Sequence, residues 1–124
     1  MPEIQVIFYK DEGGSVPILD WITELIPKAQ VKCLSRIKRL QQRGHELRRP
    51  EADYLRDGMY ELRIDLQGIH YRMLYFFHGR RAAVLSHGLV KEREVPSEEI
   101  ESAIERKRKF EQNPARHTFT MEVE

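Results

Sequence analysis

Cysteine is almost absent: Cys33 is the one thiol among 124 residues. That excludes an internal disulfide, and no second Cys or His stands at a metal-ligand spacing from it. A lone cysteine in a helical pattern reads as a small apolar residue. No apolar run approaches the roughly 18 residues that a membrane span needs. Met1 to Tyr9 lack the charged-then-apolar layout of a signal peptide. The expectation is a cytoplasmic protein with no membrane partner. An excess of one charge is missing too. The 21 basic and 20 acidic residues leave a net charge of +1, which excludes a globally basic nucleic-acid binder. No internal repeat or low-complexity tract occurs.

What is present fits one domain able to bury its own core. Charge is unevenly placed along it. Lys28 to Pro50 hold eight basic residues against one acid, Glu46, whereas residues 1 to 27 hold one base against five acids. Residues 51 to 95 balance at seven and seven. One positive segment inside a neutral chain suits a localised anionic partner, RNA or an acidic protein segment, and equally a solvated helix face.

Hydrophobic spacing orders the elements. Ile4 to Tyr9 reads as a strand, ended by Asp11 to Gly14. Ser15 and Pro17 open a helix with Ile18, Trp21, Ile22 and Leu25 on one face. After Pro27 a second helix, Lys28 to Arg43, turns Val31, Leu34, Ile37 and Leu40 inward and ends at Gly44. Lys28, Lys32, Arg36, Arg39 and Arg43 share another face of it. His45 to Gly58 reads as a loop. Three strands follow, at Met59 to Leu66, Ile69 to His78 and Arg81 to His87, with turns at Gln67-Gly68 and His78-Gly79-Arg80. Pro96 opens a last helix carrying Ile100, Ala103, Ile104 and Phe110, with Glu98 and Glu99 at its positive end. The order β-α-α-β-β-β-α predicts an α+β fold, an antiparallel sheet with helices packed on one face. The domain is expected over residues 1–112, with a tail over 113–124.

The central hairpin fixes where its side chains go. A two-residue turn at Gln67-Gly68 sets Leu66 opposite Ile69, Ile64 opposite Tyr71, Leu62 opposite Met73 and Tyr60 opposite Tyr75, all on one apolar face. The other face then pairs Asp65 with His70, Arg63 with Arg72 and Glu61 with Leu74. Two arginines in direct opposition are destabilising unless an anion or neighbouring carboxylates neutralise them. Glu61 and Asp65 suit that role, and so does a phosphate. His87, Lys91 and Arg93 follow just downstream, where the last strand lies beside the one carrying Arg72.

Met59-Tyr-Glu-Leu-Arg-Ile and Gly68-Ile-His-Tyr-Arg-Met-Leu-Tyr-Phe-Phe77 resemble the central hairpin of RelE/HigB-type toxins, in particular their phage-derived branch. Gly14 to Trp21, Ser86 to Lys91 and Pro96 to Glu101 resemble that branch's opening and closing segments, so the likeness spans about residues 3 to 112. Two departures are a loop from Lys91 to Pro96 about one residue short and Glu92 in place of a common lysine.

The resemblance implies the toxin of a toxin–antitoxin pair, partnered by an antitoxin, often of helix-turn-helix type, and cutting messenger RNA on the ribosome with no metal or cofactor. Arg63 and Arg72 match the family's sheet arginines, Lys91 and Arg93 its basic loop, and His87 its histidine. In such a scheme the RNA's own 2′-hydroxyl attacks. Arg63 and Arg72 stabilise phosphate charge, His87 exchanges protons, and Lys91 contributes charge or acts as base. His70 contacts the RNA, while Lys32, Arg36, Arg39 and Arg43 track its phosphates. Related toxins inhibit gyrase on the same fold without nuclease chemistry, and a degenerate copy would bind only its antitoxin.

Overall fold

In the computed structural model, which describes residues 3–121, the chain forms one six-stranded, mostly antiparallel open sheet and three α-helices. The elements are β1 (Gln5–Tyr9), α1 (Pro17–Thr23), α2 (Pro27–Arg43), β2 (Ala52–Arg56), β3 (Met59–Leu66), β4 (Ile69–His78), β5 (Ala82–Lys91), α3 (Ser97–Gln112) and β6 (Thr118–Phe119). Strand order across the sheet is β2-β3-β4-β5-β1-β6, with β1 parallel to β5 and antiparallel to β6. No helix among the described residues is long and apolar enough to cross a membrane.

The β3–β4 hairpin has the register that its turn dictates. Gln67 and Gly68 both take positive φ, 54° and 81°, the conformation of a two-residue turn that matches strand twist. Ile64 pairs with Tyr71, Arg63 with Arg72 and Asp65 with His70. The β4–β5 ladder contains a bulge: Leu74 faces His87 and Tyr75 faces Leu85, leaving Ser86 as the extra residue. Side chains alternate along a strand, so this insertion reverses the parity of everything after it. His87, Leu89 and Lys91 thereby join the face that carries Arg72.

Both faces of the sheet are covered, which corrects the expectation of helices on one face. On one side α1 and α2 bury Ile18, Ile22, Cys33, Ile37 and Leu40 against Leu62, Ile64, Tyr71, Met73 and Leu85. On the other, α3 lays Ile100, Ala103 and Phe110 over Ile7, Met59, Leu74, Phe76 and Val84. The second face changes character along the strands. It is charged near the Gln67-Gly68 turn and apolar beyond Leu74, and the apolar half demands a cover that the hairpin pairs alone do not announce.

Other departures have local causes. α2 turns Ala29, Cys33, Ile37 and Leu40 inward, while Val31 is 67% exposed. Small residues at 29 and 33 let the helix approach the sheet closely. Burial also pushes the Cys33 thiol up to about 11, so it stays protonated and inert. α1 packs equally tightly: a Cβ added at Gly88 would lie 2.1 Å from the Trp21 ring, so β5 admits only glycine there. The segment expected as a loop contains β2, which pairs with β3 through a register shift between Tyr54 and Arg56. β5 runs to Lys91, beyond the His87 expected as its end. Within the expected tail, Thr118 and Phe119 pair with β1 and His117 is buried. Residues 122–124 of that tail lie outside the described residues.

Candidate active site

β3, β4 and β5 bring Arg63, Arg72, His70, His87 and Lys91 to one face of the sheet. By register Arg63 lies opposite Arg72, and His70 lies between Asp65 on β3 and Lys91 on β5. His87 sits diagonally from Arg72, opposite Leu74. Arg93 follows in the exposed segment after β5. The α2 stripe is elsewhere. α2 packs on the opposite face of the sheet, Arg36 donates to the Arg63 carbonyl at the sheet edge, and Arg39 forks onto Glu51 at 2.7 and 3.0 Å. Arg43 pairs with Glu46 at 3.4 Å, and Lys32 is exposed. The structure does not bring Lys32, Arg36, Arg39 and Arg43 onto the arginine-pair face.

Carboxylates hold the two opposed arginines in place. Arg63 Nη1 donates to Glu61 Oε2 at 2.9 Å. Arg72 is 1% exposed and lies with Nε 3.6 Å from Glu61 Oε1. Its Nη1 donates to Asp65 Oδ1 at 3.1 Å and to the Tyr71 carbonyl at 2.9 Å. Glu61 is buried as well, and both Glu61 Oε1 and Arg72 Nε are without a hydrogen bond. Two cations meet two anions here, so the cross-strand repulsion is neutralised inside the protein. Arg72 thus spends Nη1 inside the protein and keeps Nη2 without a partner among the described residues, whereas the partly exposed Arg63 reaches the surface.

Asp65 serves two donors at once. His70 Nδ1 lies 2.6 Å from the same Oδ1 that accepts from Arg72. Desolvation pushes the Asp65 carboxyl up, but the His70 and Arg72 hydrogen bonds outweigh it and hold the group below its ordinary value. An ionised Asp65 accepts from His70 Nδ1–H, which fixes the orientation of the ring and leaves Nε2 without a protein partner among the described residues. The His70 side chain is 43% exposed.

His87 has the opposite situation. Its side chain is 12% exposed, Nε2 lies 2.7 Å from Glu99 Oε1, and Arg106 Nη1 lies 3.0 Å from Nδ1. Guanidinium only donates, so Nδ1 must accept and the ring proton sits on Nε2, given to Glu99. Ser86, the bulge residue, adds its hydroxyl 2.8 Å from Nδ1. Burial pulls the His87 pKa below its ordinary value; the Glu99 hydrogen bond opposes this and Arg106 reinforces it. Both ring nitrogens are occupied, leaving none for a substrate. Glu99 was legible only as a dipole-matched charge on α3, although its spacing of seven residues from Arg106 puts the two on one helix face.

This gives a pH signature. The folded His87 pKa lies below its unfolded value of about 6.5, so between the two the unfolded chain binds the extra proton. Stability is complete above about pH 6.5 and declines as pH falls toward the folded pKa. The urea midpoint should drop between pH 7 and 5.5, above the range where carboxylates titrate, and drop less in His87→Gln. Equal slopes in the two proteins would remove this assignment.

A model of the family described as phage-derived protein Gp49-like (DUF891) matches residues 20–108. No curated protein matches the chain. The matched span contains α2, the whole β2–β5 meander and most of α3, and with them every residue of the arginine-pair face.

Proposed function

The chain belongs to the phage-derived Gp49-like family, a toxin family of the RelE/HigB type, and from that premise we propose that it is a metal-independent endoribonuclease acting on messenger RNA. Family membership carries an antitoxin as partner. We place that antitoxin in the helix-turn-helix class and the target on the translating ribosome. The single observation that supports nuclease chemistry is a base–orienter pair beside cations: Asp65 holds His70 through Nδ1, next to Arg63 and opposite Lys91.

In the proposed reaction His70 Nε2 takes the proton of the 2′-hydroxyl. The 2′-oxygen forms a bond to phosphorus as the bond from phosphorus to the 5′-oxygen breaks, leaving a 2′,3′-cyclic phosphate and a 5′-hydroxyl. Lys91, across the ladder from His70, supplies the proton to the leaving oxygen. Arg63 faces the non-bridging oxygens as their charge grows. Arg72 acts one layer below, as the positioning residue that fixes Glu61 and Asp65. His87 is assigned to structure rather than proton transfer, and Arg93 to the flanking backbone.

Mapping transcript 5′ ends after induction tests this reading. New cuts at defined positions within codons are expected. DNA damage without new transcript ends would replace the nuclease by a gyrase inhibitor, and neither effect would leave an antitoxin-binding module.

A further inference from the structure

A second feature lies on the opposite face of the sheet, at the far end of the hairpin from the Gln67-Gly68 turn. Aromatic rings run from the core to the surface there. Tyr60 stacks on Tyr75 at 5.4 Å between centroids and meets Tyr54 edge-on at 5.0 Å. His45 stacks flat on Phe77 at 3.8 Å. Between the two outermost rings opens a cavity of about 250 Å³, lined by His45, Arg48, Asp53, Tyr54 and Tyr60 among others. That size is below the roughly 300 Å³ at which drug-sized sites begin, which suits one planar ring rather than an extended ligand.

Both exposed rings are held. Tyr54 is 53% exposed, and its hydroxyl accepts from the Gly58 amide at 3.0 Å. His45 is pinned by Phe77 below and by a 3.1 Å contact from Nε2 to the Arg80 carbonyl. Rings fixed in this way lose little entropy when a base stacks on them.

The cavity's acid, Asp53, is paired with Arg49, and further cations stand beside it. Arg48 donates only to the carbonyls of His45 and Leu47, and Arg80 and Arg81 are exposed on the adjoining turn. Among the described residues these three have no carboxylate partner, whereas Arg43 is matched by Glu46 and Arg49 by Asp53. Preset aromatic faces beside uncompensated guanidinium groups are the elements that bind single strands: rings take bases and cations take phosphates.

We propose that this pocket holds one unpaired base of single-stranded RNA, with the flanking phosphates on Arg48 and Arg80. The proposal rests on the reading of RNA as substrate and adds a contact separate from the site of cleavage. An acidic protein segment would satisfy the arginines but leave the paired ring faces without a matching partner.

Fluorescence anisotropy with a labelled 2′-O-methyl RNA of about ten nucleotides, which blocks the attacking hydroxyl, measures binding without cleavage. An abasic oligomer of the same length reports the phosphate contribution alone. The parent is expected to prefer the base-bearing strand. Tyr54→Ala should bind it about 5- to 150-fold more weakly, from the usual worth of one stacked base, and lose the preference over the abasic strand. Tyr54→Phe should retain both, and His45→Gln repeats the test should Tyr54→Ala fail to fold. Arg48→Gln should weaken both oligomers alike. Equal binding of the two oligomers by the parent, undiminished binding by Tyr54→Ala, or preference for an oligoglutamate peptide would overturn the pocket. Ring-dependent binding without any RNA cleavage would keep the pocket and sink the nuclease. Cleavage without ring dependence would do the reverse.

Discussion

Arg72→Ala is expected to lower the unfolding free energy by about 3–5 kcal/mol, the usual cost of removing one partner from a buried ion pair. The reason is Glu61. Its carboxylate is 2% exposed and is balanced by Arg72 on one oxygen and Arg63 on the other. Without Arg72 that charge stays buried with one cation, Asp65 loses a donor, and a void replaces a large side chain. Urea unfolding of the single variant measures the loss. The double variant Glu61→Leu with Arg72→Leu should recover most of it, because exchanging both members of such a pair for apolar residues is often neutral. A single variant within about 1 kcal/mol of the parent would mean that water or movement already relieves the pair, contrary to the packing described. Loss of toxicity in Arg72→Ala therefore does not identify a group that touches RNA.

His70→Ala separates chemistry from stability. The side chain stands at the surface and its removal leaves no buried charge, so the melting curve should stay close to that of the parent. Cleavage should nevertheless fall by about 10²- to 10⁴-fold, the range for loss of a positioned acid–base group. Asp65→Asn should lower the rate at saturation more than it weakens RNA binding, because it disturbs the aim of His70 rather than contact with substrate. The decisive comparison is between His70→Ala and His87→Gln at neutral pH. Near-normal cleavage by a folded His70→Ala protein, combined with loss in His87→Gln, would return the proton transfer to His87 and require the Glu99 and Arg106 contacts to open.

The arginine-pair face was legible because its determinants are local. Gln67-Gly68 accepts positive φ at both positions, and alternation then carries Arg63, Arg72, Asp65 and His70 to one side. What escaped depends on distant parts of the chain. The bulge at Ser86 has no sequence signature, yet it alone brings His87 and Lys91 to that face. β2 is too short and irregular to show periodicity, and β3 supplies its hydrogen bonds. In α2 the pattern through Val31 fits a helix as well as the one through Ala29 and Cys33. Only the closeness of the sheet selects the smaller residues. The α2 cations read as a stripe from spacing, but spacing cannot see Glu51, which binds two of them across the edge of the sheet.

The parallel pairing of β1 has a consequence for synthesis. Gln5 to Phe8 emerge from the ribosomal tunnel long before their partners Ala82 to Leu85, and Phe119 follows later still. Until then β1 has no neighbour on either side, and the nascent chain lacks the strand that carries Lys91. Whatever activity the finished fold possesses is thus withheld until β5 has left the ribosome that is making it.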